Sequence, residues 1–188
     1  MFCGVGVTDI PARTDGIVDR EWRLWSSMLS RCYSEKYQKA KPTYKGCHVD
    51  EHWLIYSNFK KDIVKFTGFN LHDWQFDKDI LVFGNRVYSK DTCCFVPREV
   101  NQVFLQRSWK RCEEKPVGVY YDKRRGVFTA KGNVSGKQPY LGAFKTETEA
   151  IIATENFKVE RCKYLAEKYK NLLDVRVYEK LITCKVVV

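Results

Sequence analysis

Basic side chains between residues 115 and 145 have the clearest chemistry in this 188-residue sequence. The segment contains one acid, Asp122, and its seven cations are Lys115, Lys123, Arg124, Arg125, Lys131, Lys137 and Lys145. Residues 106–171 hold 15 Lys and Arg against 8 Asp and Glu, and so carry most of the formal net charge of +10. This favours binding to the phosphate backbone of nucleic acid over the alternative of a merely solvated surface.

Histidine and cysteine side chains are further candidate metal ligands. His48 and His52 are close in sequence, which suggests a ligand pair, although we favour surface or core roles for them. The eight cysteines include no Cys-x-x-Cys pair, and the adjacent Cys93 and Cys94 point to opposite sides of a strand. We therefore favour buried free thiols over a structural zinc site.

The composition is that of a globular protein, because 44% of the residues are hydrophobic. No run approaches the roughly 18 apolar residues of a membrane span, and Met1 is not followed by a signal-peptide pattern. We expect a cytoplasmic protein with no membrane partner.

The first half of the sequence is predicted to contain an extended arm at 1–18 and a helix at 20–33 with Asp19 as its N-cap. A short strand at 47–50 and a second helical region from Trp53 to Phe66 follow. Residues 76–106 predict a ββα element: a strand at 76–83, a turn at Gly84-Asn85, a return at 86–88, and a helix opened by Pro97.

The second half predicts three strands, at 117–123, 126–134 and 138–145. Thr146 and Glu149 form a capping-box pattern that opens a helix to about Lys170, and 172–188 is assigned as a strand. The fold class is therefore α+β, with a three-stranded antiparallel sheet packed on a long helix.

Residues 116–160 resemble the AP2 DNA-binding domain. The motifs are Pro-Val-Gly-Val-Tyr-Tyr at 116–121, Gly-Val-Phe-Thr-Ala-Lys at 126–131 and Tyr-Leu-Gly-Ala-Phe-Lys-Thr at 140–146. The resemblance implies a sheet that lies in the DNA major groove. By position, its contact sites are Tyr120, Asp122, Lys131, Asn133, Gln138 and Tyr140.

The side chains at these positions are suited to DNA. Asn133 and Gln138 can bind adenine with two hydrogen bonds, whereas Lys123, Arg124, Arg125 and Lys131 supply cations for phosphates. This chain has Tyr, Asp, Asn and Gln where plant members carry several Arg, so their base preferences do not transfer. Phe128 is expected to pack the sheet.

Residues 22–105 resemble an HNH-like group that is common in bacteriophages and often regarded as homing endonucleases. The motifs are Trp-Ser-Ser-Met-Leu-Ser-Arg-Cys-Tyr at 25–33, Pro-Thr-Tyr-Lys-Gly-Cys at 42–47 and Asp-Lys-Asp-Ile-Leu at 77–81. HNH chemistry needs a general base and one divalent ion, Mg²⁺ or Mn²⁺. The resemblance assigns this chemistry to Asp77, Lys78, Asp79, Asn85 and Asn101, with Asp77 and Asn101 as metal ligands.

Lys78 stands where the family has its histidine base. A protonated lysine is a poor base at neutral pH, but it could hold the phosphate or stabilise the leaving oxygen, with Asp79 helping to bind the metal. If His48 or His52 approaches Asp77 in the fold, that histidine becomes the substitute base.

Together the resemblances imply an HNH-like module at 1–108 and an AP2-like domain at 109–188. The expected function is that of a phage protein that binds double-stranded DNA in the cytoplasm of an infected bacterium, with metal-dependent endonuclease or nicking activity. The alternatives are a DNA-binding regulator without catalysis and a protein-interaction module that acts on a host defence factor.

Overall fold

The chain divides into two compact units. The computed structural model describes residues 1–104, 118–134 and 136–185. The first unit comprises Met1–Val96 and Leu172–Val177, and the second comprises Pro97–Asn171 and Tyr178–Val188. The predicted boundary between 108 and 109 lies outside the described residues. The protein is α+β, as predicted, and none of the helices in its described part is long and apolar enough to span a membrane.

The N-terminal segment forms a hairpin, not the predicted extended arm. Strands β1 (Arg13–Thr14) and β2 (Ile17–Val18) pair antiparallel. The turn residues Asp15 and Gly16 have φ angles of 50° and 79°, the left-handed conformation that Asp-Gly hairpin turns adopt. The Asp-Gly pair was the local signal that the prediction overlooked.

Helix α1 (Arg20–Tyr33) supplies much of the first unit's core and has the predicted bounds. Its buried residues are Trp25, Met28, Leu29 and Cys32. The Trp25 indole Nε1 donates to the carbonyl oxygen of Trp53 at 2.7 Å. Asp19 occupies the N-cap position, but its side chain does not cap the helix and instead accepts from Lys60 Nζ at 2.6 Å.

The following segment contains short elements around the same core. They are α2 (Glu35–Ala40), a 3₁₀ turn at Pro42–Tyr44, β3 (His48–Val49), a 3₁₀ turn at Glu51–Leu54 and α3 (Tyr56–Ile63). The strand prediction at 47–50 is confirmed. The helical region predicted to extend to Phe66 ends at Ile63, and Phe66 packs against the core from the loop that follows.

Of the strand, turn and return predicted at 76–88, the return is confirmed, whereas the strand is shorter than predicted and does not pair with the return. Strand β4 (Gln75–Asp77) stops early and pairs with β6 (Cys94–Val96), whereas β5 (Val87–Tyr88) pairs in parallel with β3. Side chains in the intervening segment bond to its own backbone, so these backbone groups are satisfied without a strand partner.

The second unit begins with α4 (Arg98–Phe104), as predicted from Pro97; the last two residues of the predicted element, 105 and 106, lie outside the described residues. Strands β7 (Val119–Asp122), β8 (Val127–Lys131) and β9 (Tyr140–Phe144) form the predicted antiparallel sheet. Helix α5 (Glu147–Tyr169) carries the predicted capping box of Thr146 and Glu149.

The strand predicted at 172–188 was wrong, because residues Val175–Ile182 form helix α6. Leu173, Val177 and Leu181 are buried at intervals of four, which is a helical spacing. The last part of the prediction, residues 186–188, lies outside the described residues.

The buried indole of Trp25 gives a test of the first unit's core. Trp25→Phe should lower the free energy of unfolding by about 1–3 kcal/mol, because the carbonyl oxygen of Trp53 loses its buried donor, in addition to the cost of the smaller ring. Urea unfolding measures the change. Trp22→Phe, at a half-buried position on the same helix, is the control, and an equal loss in both variants would contradict the role given to this hydrogen bond.

Candidate nucleic-acid interface and nuclease site

Among the described residues, one face of the three-stranded sheet is covered by α5 and the other is open. Val119 and Ala130 form a buried cluster with Ala150 of α5. Side chains alternate between the two faces of a strand. The neighbouring row, in which Tyr120 pairs with Thr129 and Thr129 with Ala143, therefore lies on the face away from α5.

Two tyrosines and a lysine project from the same face. The side chains of Tyr120 and Tyr140 are 49% and 58% exposed. Lys131 pairs with Tyr140 in the sheet, and its Nζ lies 5.5 Å from the centre of the Tyr120 ring. We call Tyr120, Thr129, Lys131, Tyr140 and Ala143 the open face. It offers aromatic surface, a methyl group, a hydroxyl and a cation on one short stretch of sheet.

The turn between β7 and β8 presents three cations. The Asp122 Oδ1 accepts from the backbone N–H groups of Arg124 and Arg125 at 3.0 and 3.2 Å. This bonding fixes the turn that exposes Lys123, Arg124 and Arg125. Asp122, which was predicted to contact DNA, thus has a structural part in presenting the cations beside it.

The turn between β8 and β9 carries the predicted amide side chains. The Asn133 Oδ1 accepts from the N–H of Gly136 at 3.3 Å, which leaves its Nδ2 to donate elsewhere. Gln138 and Lys137 are exposed in the same segment. Ser135, within this turn, and Lys115, the first cation of the basic segment, lie outside the described residues.

The cations around the sheet lack acidic partners. Lys123, Arg124, Arg125, Lys131, Lys137 and Lys145 form no ion pair with any residue that the structure describes. The only acid in the segment is Asp122, which is bonded within its turn. Among the described residues, the two turns of the sheet therefore carry a local excess of positive charge.

In the first unit, the segment after β4 is braced by its own polar side chains. The Asp77 Oδ1 accepts from the N–H groups of Asp79 and Ile80 at 2.7 and 3.0 Å. The Asn85 Nδ2 donates to the carbonyl oxygens of Lys78 and Val87 at 2.8 and 2.6 Å, and its Oδ1 accepts from the Val87 N–H at 3.0 Å. We call residues 77–87 the braced loop.

Lys78 is buried inside this loop, with 5% of its surface exposed. Its Nζ donates to Asp79 Oδ1 at 2.5 Å and to the Asn85 carbonyl oxygen at 2.8 Å. A protonated amine has three donors and no acceptor. Lys78 therefore bridges two parts of the loop as a donor, which is the opposite of what a general base does.

The structure brings Asp77, Lys78, Asp79 and Asn85 together, but they do not fit a divalent ion by themselves. The Lys78 Nζ bonds to Asp79 Oδ1, so this carboxylate oxygen already has a cationic partner. Asn101 lies on α4, in the second unit. In residues 1–104, 118–134 and 136–185, no group of three or more His, Cys, Asp and Glu side chains is placed to hold a metal.

The two histidines proposed as substitute bases have other surroundings. His48 is exposed on β3, where it pairs with Val87. The His52 Nε2 lies 3.5 Å from Asp62 Oδ2. These partners do not include Asp77, so the structure adds no support for either histidine as its base.

The seven described cysteines are free thiols. Burial raises the pKa of Cys32, Cys93 and Cys162 to about 12 in each case. These side chains are therefore protonated at neutral pH and behave as small apolar groups.

A scan against protein-family models and searches of curated proteins and of solved structures found no match. The AP2-like and HNH-like interpretations therefore rest on the sequence motifs alone.

Sequence reasoning missed two residues of the open face, Thr129 and Ala143. Thr129 alternates with Ala130 of the covered face, so the period of two in β8 was the available signal for it. In β9 the register shifts opposite Ala130 and Lys131, so Tyr140 and Ala143 share a face at a spacing of three, and the period of two gave no signal for Ala143. Placing them beside Tyr120 also required the register of the sheet, which the sequence leaves open.

The buried carboxyl of Asp77 gives a pH test of the braced loop. Burial raises the pKa of Asp77 in the folded protein, so the wild type should lose stability as the pH rises above the unfolded value of about 3.9. Asp77→Asn keeps the Oδ1 acceptor and does not ionise. Its free energy of unfolding relative to wild type should therefore increase between about pH 4 and pH 7.

Urea unfolding at both pH values checks this, with the exposed Asp73→Asn as control. A difference that stays constant or decreases with pH would show that the Asp77 charge is not destabilised in the loop.

Proposed function

We propose that this protein binds double-stranded DNA through the open face and the cations that surround it. The observation that carries the proposal is the combination, on one uncovered sheet face, of Tyr120, Lys131 and Tyr140 with neighbouring cations that have no acidic partner in the described residues. Phosphates supply the missing counter-charge, and release of their counterions drives association.

The shape of the surface favours a duplex. The major groove of B-DNA admits a two-stranded β-ribbon, and β7 and β8 carry Tyr120, Thr129 and Lys131 on the open face. Lys123, Arg124 and Arg125 project from the turn at one edge of the open face. With the sheet in the groove, this edge would face the phosphates that border the groove. These cations would position the protein on the DNA without reading its sequence.

Base recognition would come from the interior of the face and from the second turn. The Tyr rings and the Ala143 methyl can contact thymine methyl groups, and Thr129 offers a hydroxyl, although that group already donates to the Tyr120 carbonyl oxygen at 3.1 Å. The Asn133 Nδ2 and the Gln138 amide are the candidates for hydrogen bonds to adenine.

The geometry of the braced loop favours DNA binding without cleavage. Lys78 stands at the base position and is bonded on two sides as a donor, and Asn85 uses its amide to hold the backbone. We therefore infer a DNA-binding regulator, and the metal-dependent nuclease stays a prediction from the HNH-like resemblance.

The phosphate role of the turn can be tested by replacing Lys123, Arg124 and Arg125 with Gln. Affinity for every duplex should fall, and the slope of log K against log salt should decrease by up to about 2.7, at about 0.9 for each phosphate that is no longer neutralised. Fluorescence anisotropy at several KCl concentrations measures both. Lys61, Lys65 and Lys90, exposed in the first unit, form a matched triple Gln control. An unchanged slope in the turn variant would contradict the proposal.

The tyrosines should affect binding in a different manner. Tyr120→Ala and Tyr140→Ala should each weaken duplex binding by about 1–3 kcal/mol because the apolar surface that the rings bury against thymine methyl groups is lost. They should leave the salt slope unchanged because the rings carry no charge. The same anisotropy titrations check this. Tyr164→Ala, an exposed tyrosine on α5, is the control, and equal effects at all three positions would argue against the open face.

Cleavage is tested with supercoiled plasmid in the presence of Mg²⁺ or Mn²⁺. The wild type should bind the plasmid and leave it supercoiled, because the Lys78 Nζ at the base position is engaged as a donor to Asp79 and Asn85. Lys78→His places an imidazole where the HNH-like group has its histidine base, and so tests whether a general base is all that the site lacks. Nicking by the wild type that stops with chelator and is abolished by Asp77→Ala would restore the nuclease and overturn the non-catalytic interpretation.

A further inference from the structure

A second group of cations lies in the first unit, between α1 and β3. Lys36, Lys39, Lys41 and Lys45 are all exposed, and Glu35 is the only acid among residues 34–49. Glu35 lies 3.9 Å from Lys39, but both side chains are more than four-fifths exposed, so this pair offsets little of the charge.

Arg86 adds a cation to the same place. Its NH1 donates to the carbonyl oxygens of Thr43 and Lys45 at 3.1 and 3.0 Å. This fixes the turn that carries Lys41 and Lys45 against β5. The positive charge of this segment is therefore held on a defined backbone.

Arg31, beside this segment, is a half-buried guanidinium with an incomplete set of partners. Its NH1 donates to the Tyr88 hydroxyl at 3.4 Å, and its Cζ lies 5.6 Å from the centre of the Tyr44 ring. Its Nε is buried and has no hydrogen-bond partner among the residues that the structure describes. Tyr37 packs edge-on against Tyr44 at 5.7 Å, so three tyrosines surround the charge.

Two other partly buried arginines, Arg161 and Arg176, have carboxylate partners, and Arg20 donates to the carbonyl oxygen of Leu71. Arg161 binds Glu99 at 2.5 Å, and Arg176 binds Asp174 at 2.7 Å. Arg31 forms no ion pair with any residue that the structure describes. Leaving a charge without a counter-ion in a partly buried position is costly, and a bound anion would remove that cost.

We propose that Arg31 and the tyrosines beside it, together with Lys36, Lys41, Lys45 and Arg86, form a second phosphate-binding site. The planar guanidinium can donate two parallel hydrogen bonds to phosphate oxygens. The tyrosine hydroxyls are further donors, and the lysines attract the anion to the site. The source of the phosphate is the DNA backbone, in which case the inference rests on the proposed function, or a small phosphorylated molecule.

One acid approaches this site. Burial raises the pKa of Tyr44, and the carboxylate of Asp77 adds to that increase. The Oδ1 of Asp77 is bonded to the backbone of the braced loop, and Asp77 forms no ion pair with Arg31. It therefore does not replace the missing counter-ion.

The first arm of the test compares two surface variants in the full-length protein. Lys36→Gln, Lys41→Gln and Lys45→Gln form the site variant, and the Lys61, Lys65 and Lys90 triple Gln protein is the control with the same charge change. The salt slope for duplex binding should decrease by about 1–3 in the site variant and stay constant in the control. That result identifies DNA phosphates as the source.

The second arm uses inorganic phosphate without DNA. Phosphate should raise the melting temperature of the wild type more than chloride does at equal ionic strength. Arg31→Lys keeps the charge but loses the two parallel donors of the guanidinium, so this variant should lose most of the increase. The lysine triple variant gives the same readout if Arg31→Lys fails to fold. Stabilisation by phosphate with an unchanged salt slope identifies a small phosphorylated molecule as the ligand.

The proposal is overturned if the site variant keeps the wild-type salt slope and phosphate stabilises wild type and variants equally. Failure of the proposed function would give a different result. The variant at Lys123, Arg124 and Arg125 would keep the wild-type salt slope, whereas the site variant would still have a lower salt slope or would no longer be stabilised by phosphate.

Discussion

The packing of α5 against one face of the three-stranded sheet determines which side chains of the second unit can meet a ligand. Val119 and Ala130 are buried by this packing, so the strand period of two places Tyr120, Thr129 and Lys131 on the other side. The capping box of Thr146 and Glu149 starts α5 directly after β9. A change that moved this helix or shifted the register would exchange the two faces.

The braced loop uses the residues of the HNH-like motif to satisfy its own backbone. Asp77, Lys78 and Asn85 are close together, as the HNH-like resemblance requires, yet their polar atoms bond mainly to each other and to the loop backbone. A buried lysine is stable when its hydrogens are matched by acceptors, and this loop supplies a carboxylate and a carbonyl. Asp77 and Asn85 therefore also explain why this segment forms a loop and not the predicted hairpin, because their side chains satisfy backbone groups that a strand partner would otherwise bind.

The sequence predicted elements well where one strong periodic signal determined them. The stripe from Trp25 to Cys32 gave α1, and the capping box gave α5. Predictions failed where side chains satisfied the backbone: Asn85 and Asp77 ended β4 early, and Asp15-Gly16 turned the N-terminal segment into a hairpin. They failed also at 172–188, where the spacing of Leu173, Val177 and Leu181 was overlooked. The sequence could not show that the Arg31 Nε lacks a hydrogen-bond partner among the described residues, because this depends on which tertiary contacts form.

Backbone amide chemical shifts recorded during a titration with duplex DNA test most directly the proposal that the duplex lies against the open face. The account predicts that the largest changes occur at Tyr120, Thr129, Lys131, Tyr140 and Ala143 and at the turn Lys123 to Arg125, with small changes at the exposed α5 residues Glu160, Lys163 and Tyr164. Largest changes on α5, or no changes in the sheet at saturating DNA, would contradict it.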